Sequence, residues 1–155
     1  MKTSMKLFTL AASALISVSA LAQEGKPWIH DPSNIMECDG KYYTFGTGGG
    51  GLISEDGWNW FSGAVRPGGG AAPDALKIGD RYLIAYSATG GGLGGGHAGR
   101  DLTMWNKTLD PNSPDFGYTE AIEVAASLND EDCDAIDAGL FLDPTTGRLW
   151  CTYGT

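Results

Sequence analysis

The sequence predicts an all-β protein built as a β-propeller. Three observations predict it: a strand layout repeated along the chain, turn-forming residues at hairpin positions, and the absence of helical periodicity over nearly the whole length. The composition agrees. Gly is abundant, at 24 of 155 residues, while only 19% of the chain is charged. Such a chain suits short strands joined by tight turns.

The repeat is the most informative feature. Each unit has an Asp beside Pro or Ala, an apolar strand, a turn, and an aromatic-rich strand ending in small residues. The first unit runs from Asp31-Pro32 through Asp39-Gly40 to Tyr42-Tyr43-Thr44-Phe45-Gly46-Thr47. The second runs from Ala72-Pro73-Asp74 through Gly79-Asp80 to Tyr82-Leu83-Ile84-Ala85-Tyr86-Ser87. The third runs from Ala135-Ile136-Asp137 through Thr146-Gly147 to Leu149-Trp150-Cys151-Thr152-Tyr153. The aspartates Asp31, Asp74 and Asp137 lie 43 and 63 residues apart, against about 40–50 residues for a four-stranded blade plus insertions. Asp39-Gly40 and Gly79-Asp80 are the residue types that two-residue hairpins demand. Between the first two units, Ser54-Glu55-Asp56-Gly57-Trp58-Asn59-Trp60 reads as a further hairpin, with Ser54 bonding back across the turn and Trp60 packed beneath it. The glycine runs 48–51, 68–70, 90–92 and 94–96 read as loops; none opens a helix after a strand, which excludes a phosphate cradle. Residues 121–128 fit a helical turn or two, and 119–124 fit a strand equally well. The third unit stops on a strand at Thr155, so the expectation is an incomplete propeller of about two blades and part of a third.

Residues 1–22 read as a cleaved export signal. Lys2 and Lys6 precede the uncharged stretch 7–21, and Ala20-Leu21-Ala22 gives the small-x-small cleavage pattern. The domain then covers 23–155, and the expected location is periplasmic or extracellular. Removing the two lysines leaves 8 basic against 19 acidic residues, a net charge of −11. That charge excludes nucleic acid and anionic membrane as partners and is compatible with a neutral polysaccharide or oligosaccharide. Cys38, Cys133 and Cys151 are an odd count with no metal-site spacing; they are expected as buried small apolar side chains, at least one of them unpaired.

Repeated acids at the start of inner strands converge on a propeller axis. Asp31, Asp74 and Asp137, read as equivalent positions, therefore form a predicted carboxylate cluster. Inverting glycoside hydrolysis uses such carboxylates, one donating a proton to the leaving oxygen and another activating water. Asp130, Asp132 and Asp134 alternate like the start of a calcium loop but lack its Gly and Glu, with Ala135 and Phe141 in those places. His30 and His97 form no zinc site with the cysteines.

Ile29-His30-Asp31-Pro32, Ala72-Pro73-Asp74 and Asp134-Ala135-Ile136-Asp137 together resemble glycoside hydrolase family 43, on its endo-arabinanase and arabinosidase side. The resemblance covers essentially the whole chain after the signal, in order. It implies a five-bladed propeller, a monomer when complete, acting on arabinose- or xylose-containing plant polysaccharide with inversion. It implies that Asp31 is the general base, that Asp137 sets the pKa and orientation of the acid, and that Asp74, Asp134 and His30 meet substrate. The family's acid is a Glu, and no Glu here stands in a matching motif, so the acid is expected beyond Thr155. No cofactor is required; calcium near the axis is a candidate group because some members hold it. Three positions depart from the pattern: Ala71 stands where Trp is usual, Asp134 where Asn is frequent, and Ala138 where Pro is. A non-catalytic carbohydrate-binding propeller is the alternative reading, and a protein-interaction propeller, which needs no axial acids, is a third.

Overall fold

The computed structural model describes residues 25–89 and 98–154. The export signal, the glycine loops 90–96 and His97 lie outside the described residues. The described chain is all-β, with ten strands in three sheets. The first sheet is β1 (Met36–Cys38), β2 (Lys41–Phe45), β3 (Gly50–Ser54) and β4 (Phe61–Val65), hydrogen-bonded in that order. The second is β5 (Ala71–Ile78), β6 (Arg81–Thr89), β7 (Arg100–Asn106) and β8 (Ile122–Ala126), again in chain order. The third is the hairpin β9 (Gly139–Leu142) and β10 (Leu149–Thr152). All pairings between these strands are antiparallel, and β5 lies beside both β1 and β9. These are two blades of a β-propeller and the first hairpin of a third, with the first strand of each innermost.

The turn chemistry explains the hairpins. Cys38 pairs with Lys41 across a two-residue loop in which Asp39 and Gly40 have φ of 52° and 75°, the left-handed pair that matches strand twist. Between β3 and β4, the Asp56 carboxylate accepts from the backbone N–H groups of Trp58 and Asn59 at 2.8 and 2.7 Å and from the Ser54 hydroxyl at 3.1 Å. The Asn59 and Trp58 amides hold its carboxyl well below the usual carboxylate range. Trp60 is buried beneath this turn. One sequence expectation is corrected here and one open alternative is decided. Gly50 and Gly51 belong to β3, where a Cβ on Gly51 would meet the Thr44 carbonyl oxygen at 2.1 Å; glycine permits close strand approach there. The ambiguous stretch 119–128 contains a strand, Ile122–Ala126.

Packing between blades follows the period of two. Along β6, Tyr82, Ile84 and Tyr86 pack with Tyr43, Phe45 and Met104 in one core cluster, while Leu83 and Ala85 pack with Ala138 and Leu140 in another. A strand covered on both faces needs apolar residues at every position, which is why this segment reads as an unbroken apolar run. Arg66, only 2% exposed, crosses from the first blade to lie 4.4 Å over the Tyr86 ring and donates to the Gly46 carbonyl at 3.3 Å. The cysteine expectation holds for Cys38 alone. It is buried and its sulfur accepts from Leu109 N–H at 3.3 Å, whereas Cys133 and Cys151 are exposed; all three are free thiols.

Candidate active site

Asp31, Asp74 and Asp137 meet in one cleft of about 270 Å3, lined also by Pro32, Pro73 and Ala138. A larger cavity of about 670 Å3 at the β3–β4 edge includes Asp56, but that carboxylate is committed to its turn. Chemistry, not volume, selects the site.

The three aspartates do different work. Asp31 is exposed and has φ of 48°, a left-handed conformation that Asp tolerates better than most side chains. Its Oδ2 lies 2.7 Å from His30 Nδ1 and accepts the Thr47 hydroxyl at 2.8 Å. Among the described residues its Oδ1 accepts no hydrogen bond. One oxygen is anchored and the other is left without a hydrogen bond among the described residues, an arrangement that can take a proton from water. Asp137 is likewise exposed and left-handed, at φ 56°. Its backbone N–H donates to Ser87 Oγ at 2.9 Å, and its carboxylate accepts no hydrogen bond among the described residues. Strained backbone of this kind persists where surrounding bonds enforce it, and it clusters at functional sites.

Asp74 is the exception to the expected equivalence. The left-handed residue of the second unit is Ala72, at φ 39°, within a bulge between Ala71 and Asp74. The hydroxyls confirm the register. Thr47 Oγ1 accepts Ala72 N–H at 2.9 Å as Ser87 Oγ accepts Asp137 N–H, and Thr47 and Ser87 lie 40 residues apart. Asp74 thus sits two residues further on. Its Oδ1 accepts the N–H groups of Ala75 at 2.8 Å and Asn34 at 3.3 Å, and Oδ2 accepts Leu140 N–H at 2.7 Å. Both oxygens are occupied in tying the first strand of each blade together. Removing a charged acceptor leaves its amides unpaired, which costs about 1.5–3 kcal/mol per bond at partly buried sites. Asp74→Ala is therefore expected to lower unfolding stability by about 2–4 kcal/mol, measured by urea denaturation, whereas Asp74→Asn, keeping an acceptor oxygen, loses less.

His30 is exposed beside Asp31. Asp134 is fully buried and does not line the cleft. Asp130 and Asp132 are exposed, and among the described residues no three His, Cys, Asp or Glu side chains are grouped to hold a metal; the donors present do not fit the calcium loop that their spacing suggests. Among the described residues no glutamate lines the cleft. Sequence reasoning missed Thr47, Ser87 and Asp101. The signal for the first two was available, since a hydroxyl ends the second strand of both units.

The fold and cleft define a β-propeller with an acidic axial site. No family model matches the chain. A probable arabinan endo-1,5-alpha-L-arabinosidase A of Aspergillus flavus is 30% identical to it over 142 residues, covering 82% of this chain and 41% of that protein. An extracellular exo-alpha-(1->5)-L-arabinofuranosidase of Cellvibrio japonicus is 30% identical over 164 residues, covering 94% and 46%. Among solved structures, an exo-1,5-alpha-L-arabinanase from a bovine ruminal metagenomic library is 33% identical with a TM-score of 0.68, covering 81% of this chain and 45% of that one. A family 43 endo-arabinanase from Bacillus licheniformis, 24% identical with a TM-score of 0.70, shares the fold over 86% and 50% of the two chains. The chain is thus similar over most of its length to arabinan-hydrolysing enzymes, and it shares its fold with a family 43 endo-arabinanase. It spans less than half the length of the curated relatives it matches.

Proposed function

We propose that the protein is an exported glycoside hydrolase that cleaves α-1,5-linked arabinan with inversion of configuration. The single observation that carries this is the cleft that Asp31, with one oxygen anchored and the other without a hydrogen bond among the described residues, lines together with Asp137. Relatives named for arabinan hydrolysis support the substrate. The relative named extracellular supports export through the leader 1–22.

In this reading Asp31 Oδ1 accepts a proton from water as that water attacks the anomeric carbon. His30 and Thr47 hold Oδ2, which keeps the carboxylate in one rotamer and stabilises its charge before the proton arrives. Asp137 places a second negative charge at the cleft. A negative charge nearby disfavours ionisation of the proton donor, and so keeps that donor loaded. Asp74 and buried Asp134 act on the shape of the site. The test is hydrolysis by the full-length protein. Reducing ends are expected from linear 1,5-arabinan in preference to xylan; binding of arabino-oligosaccharides without release would replace this reading by that of a carbohydrate-binding propeller.

A further inference from the structure

Behind the cleft lies an acid that the proposed mechanism does not use. Asp101, on β7, is 0% exposed, and among the described residues neither carboxyl oxygen has a complete hydrogen bond. It stands opposite Ser87 in the β6–β7 register. Ser87 Oγ in turn accepts the Asp137 N–H at 2.9 Å. The first blade supplies the contrast. There the equivalent hydroxyl, Thr47, accepts Ala72 N–H and spends its proton on Asp31 at 2.8 Å. In the second blade the group across the strand pair from that hydroxyl is Asp101.

We propose that Asp101 is a positioning residue, a neutral buried acid that fixes the Ser87 hydroxyl and through it the left-handed turn carrying Asp137. A neutral carboxyl has both an O–H and a carbonyl oxygen, so it can meet a hydroxyl in either orientation. A carboxylate there is desolvated and faces other acids. Among the described residues the titratable groups that meet it are Asp137, from the segment before β9, and Cys151 of β10. β6 contributes Ser87, and β8 places Ala125 opposite. Burial first, and then the Asp137 charge, push the Asp101 carboxyl up, while the Ser87 hydroxyl acts in the other direction. No cation among these groups offsets the charge.

The pH dependence follows from linkage. A carboxyl whose pKa is higher folded than unfolded keeps its proton in the native state while the unfolded chain has lost it. Stability therefore falls as pH rises from the ordinary Asp value, near 4, to the raised native value. Asp101→Asn, neutral at every pH and able both to donate and to accept, lacks this loss.

The experiment uses the whole chain and needs no catalysis, so its failure is separate from failure of the hydrolase reading, on which only the importance of Asp137 rests. Urea denaturation is run from pH 4 to 8 on wild type and Asp101→Asn, and the Asp137 amide is followed by NMR hydrogen exchange. The stability of Asp101→Asn relative to wild type is expected to rise with pH and then level off. Its Asp137 amide is expected to exchange as in wild type. In Ser87→Ala and Asp101→Leu that amide is expected to exchange about fivefold to tenfold faster, the ratio corresponding to one lost hydrogen bond. If Asp101→Leu does not fold, Ser87→Ala and the Asp101→Asn pH series decide the matter. A pH-independent stability difference, or wild type losing stability relative to Asp101→Asn on acidification, would overturn the neutral acid. Unchanged Asp137 exchange in Ser87→Ala would overturn the positioning role.

Discussion

Asp31→Asn in the full-length protein is expected to lower kcat on 1,5-linked arabino-oligosaccharides by about 10²–10⁴-fold, the usual range for a lost acid–base group. The substitution keeps the shape of the side chain and an acceptor for the Thr47 hydroxyl, now 2.8 Å from Oδ2, so the left-handed turn at Asp31 survives. An amide cannot take the proton of the attacking water. The loss is therefore expected at every pH and in kcat rather than in sugar affinity, which calorimetry on the same variant measures independently. Thr47→Val provides the graded control. It removes one of two anchors on Oδ2 and the cap on Ala72 N–H, so it should cost less than Asp31→Asn.

Asp137→Asn is expected to differ in kind. Its carboxylate is exposed in the cleft and makes no hydrogen bond among the described residues, so its contribution to the site is mainly charge. With that charge removed, the proton donor ionises more readily, and its pKa falls. The alkaline limb of the pH–kcat profile, where the donor has lost its proton, should move to lower pH by about one unit or more, with a drop in maximal rate. A profile scaled down without a shift would remove Asp137 from this role and leave it as a binding group.

The blades were legible because a strand pair has a period of two and tight turns need particular residues. Asp39-Gly40, Gly79-Asp80 and the Ser54–Trp60 turn each declare their hairpins locally. The convergence of Asp31 and Asp137 was legible for a different reason: equal positions in successive blades fall at equal distances from one axis. Asp74 shows the limit of that reasoning. Its repeat looks in register by sequence, yet the bulge at Ala71–Asp74 gives the left-handed position to Ala72 and turns the Asp74 carboxylate onto three backbone amides. A bulge is one extra residue, and its only local mark is Pro73, which fits a strand edge equally well. Asp101 was invisible because its significance is entirely tertiary. A charged residue in an alternating strand normally reads as solvent-facing, and only the neighbouring sheet encloses it.

The most direct test of the account is the configuration of the sugar at the moment it is released. Proton NMR of linear arabino-oligosaccharide during hydrolysis by the full-length protein reports the anomer of the new reducing end before it equilibrates. If Asp31 activates water opposite the leaving group, the α-linkage gives the β-anomer first. First appearance of the α-anomer would show that a covalent intermediate intervenes, and would contradict Asp31 as the base of a single displacement.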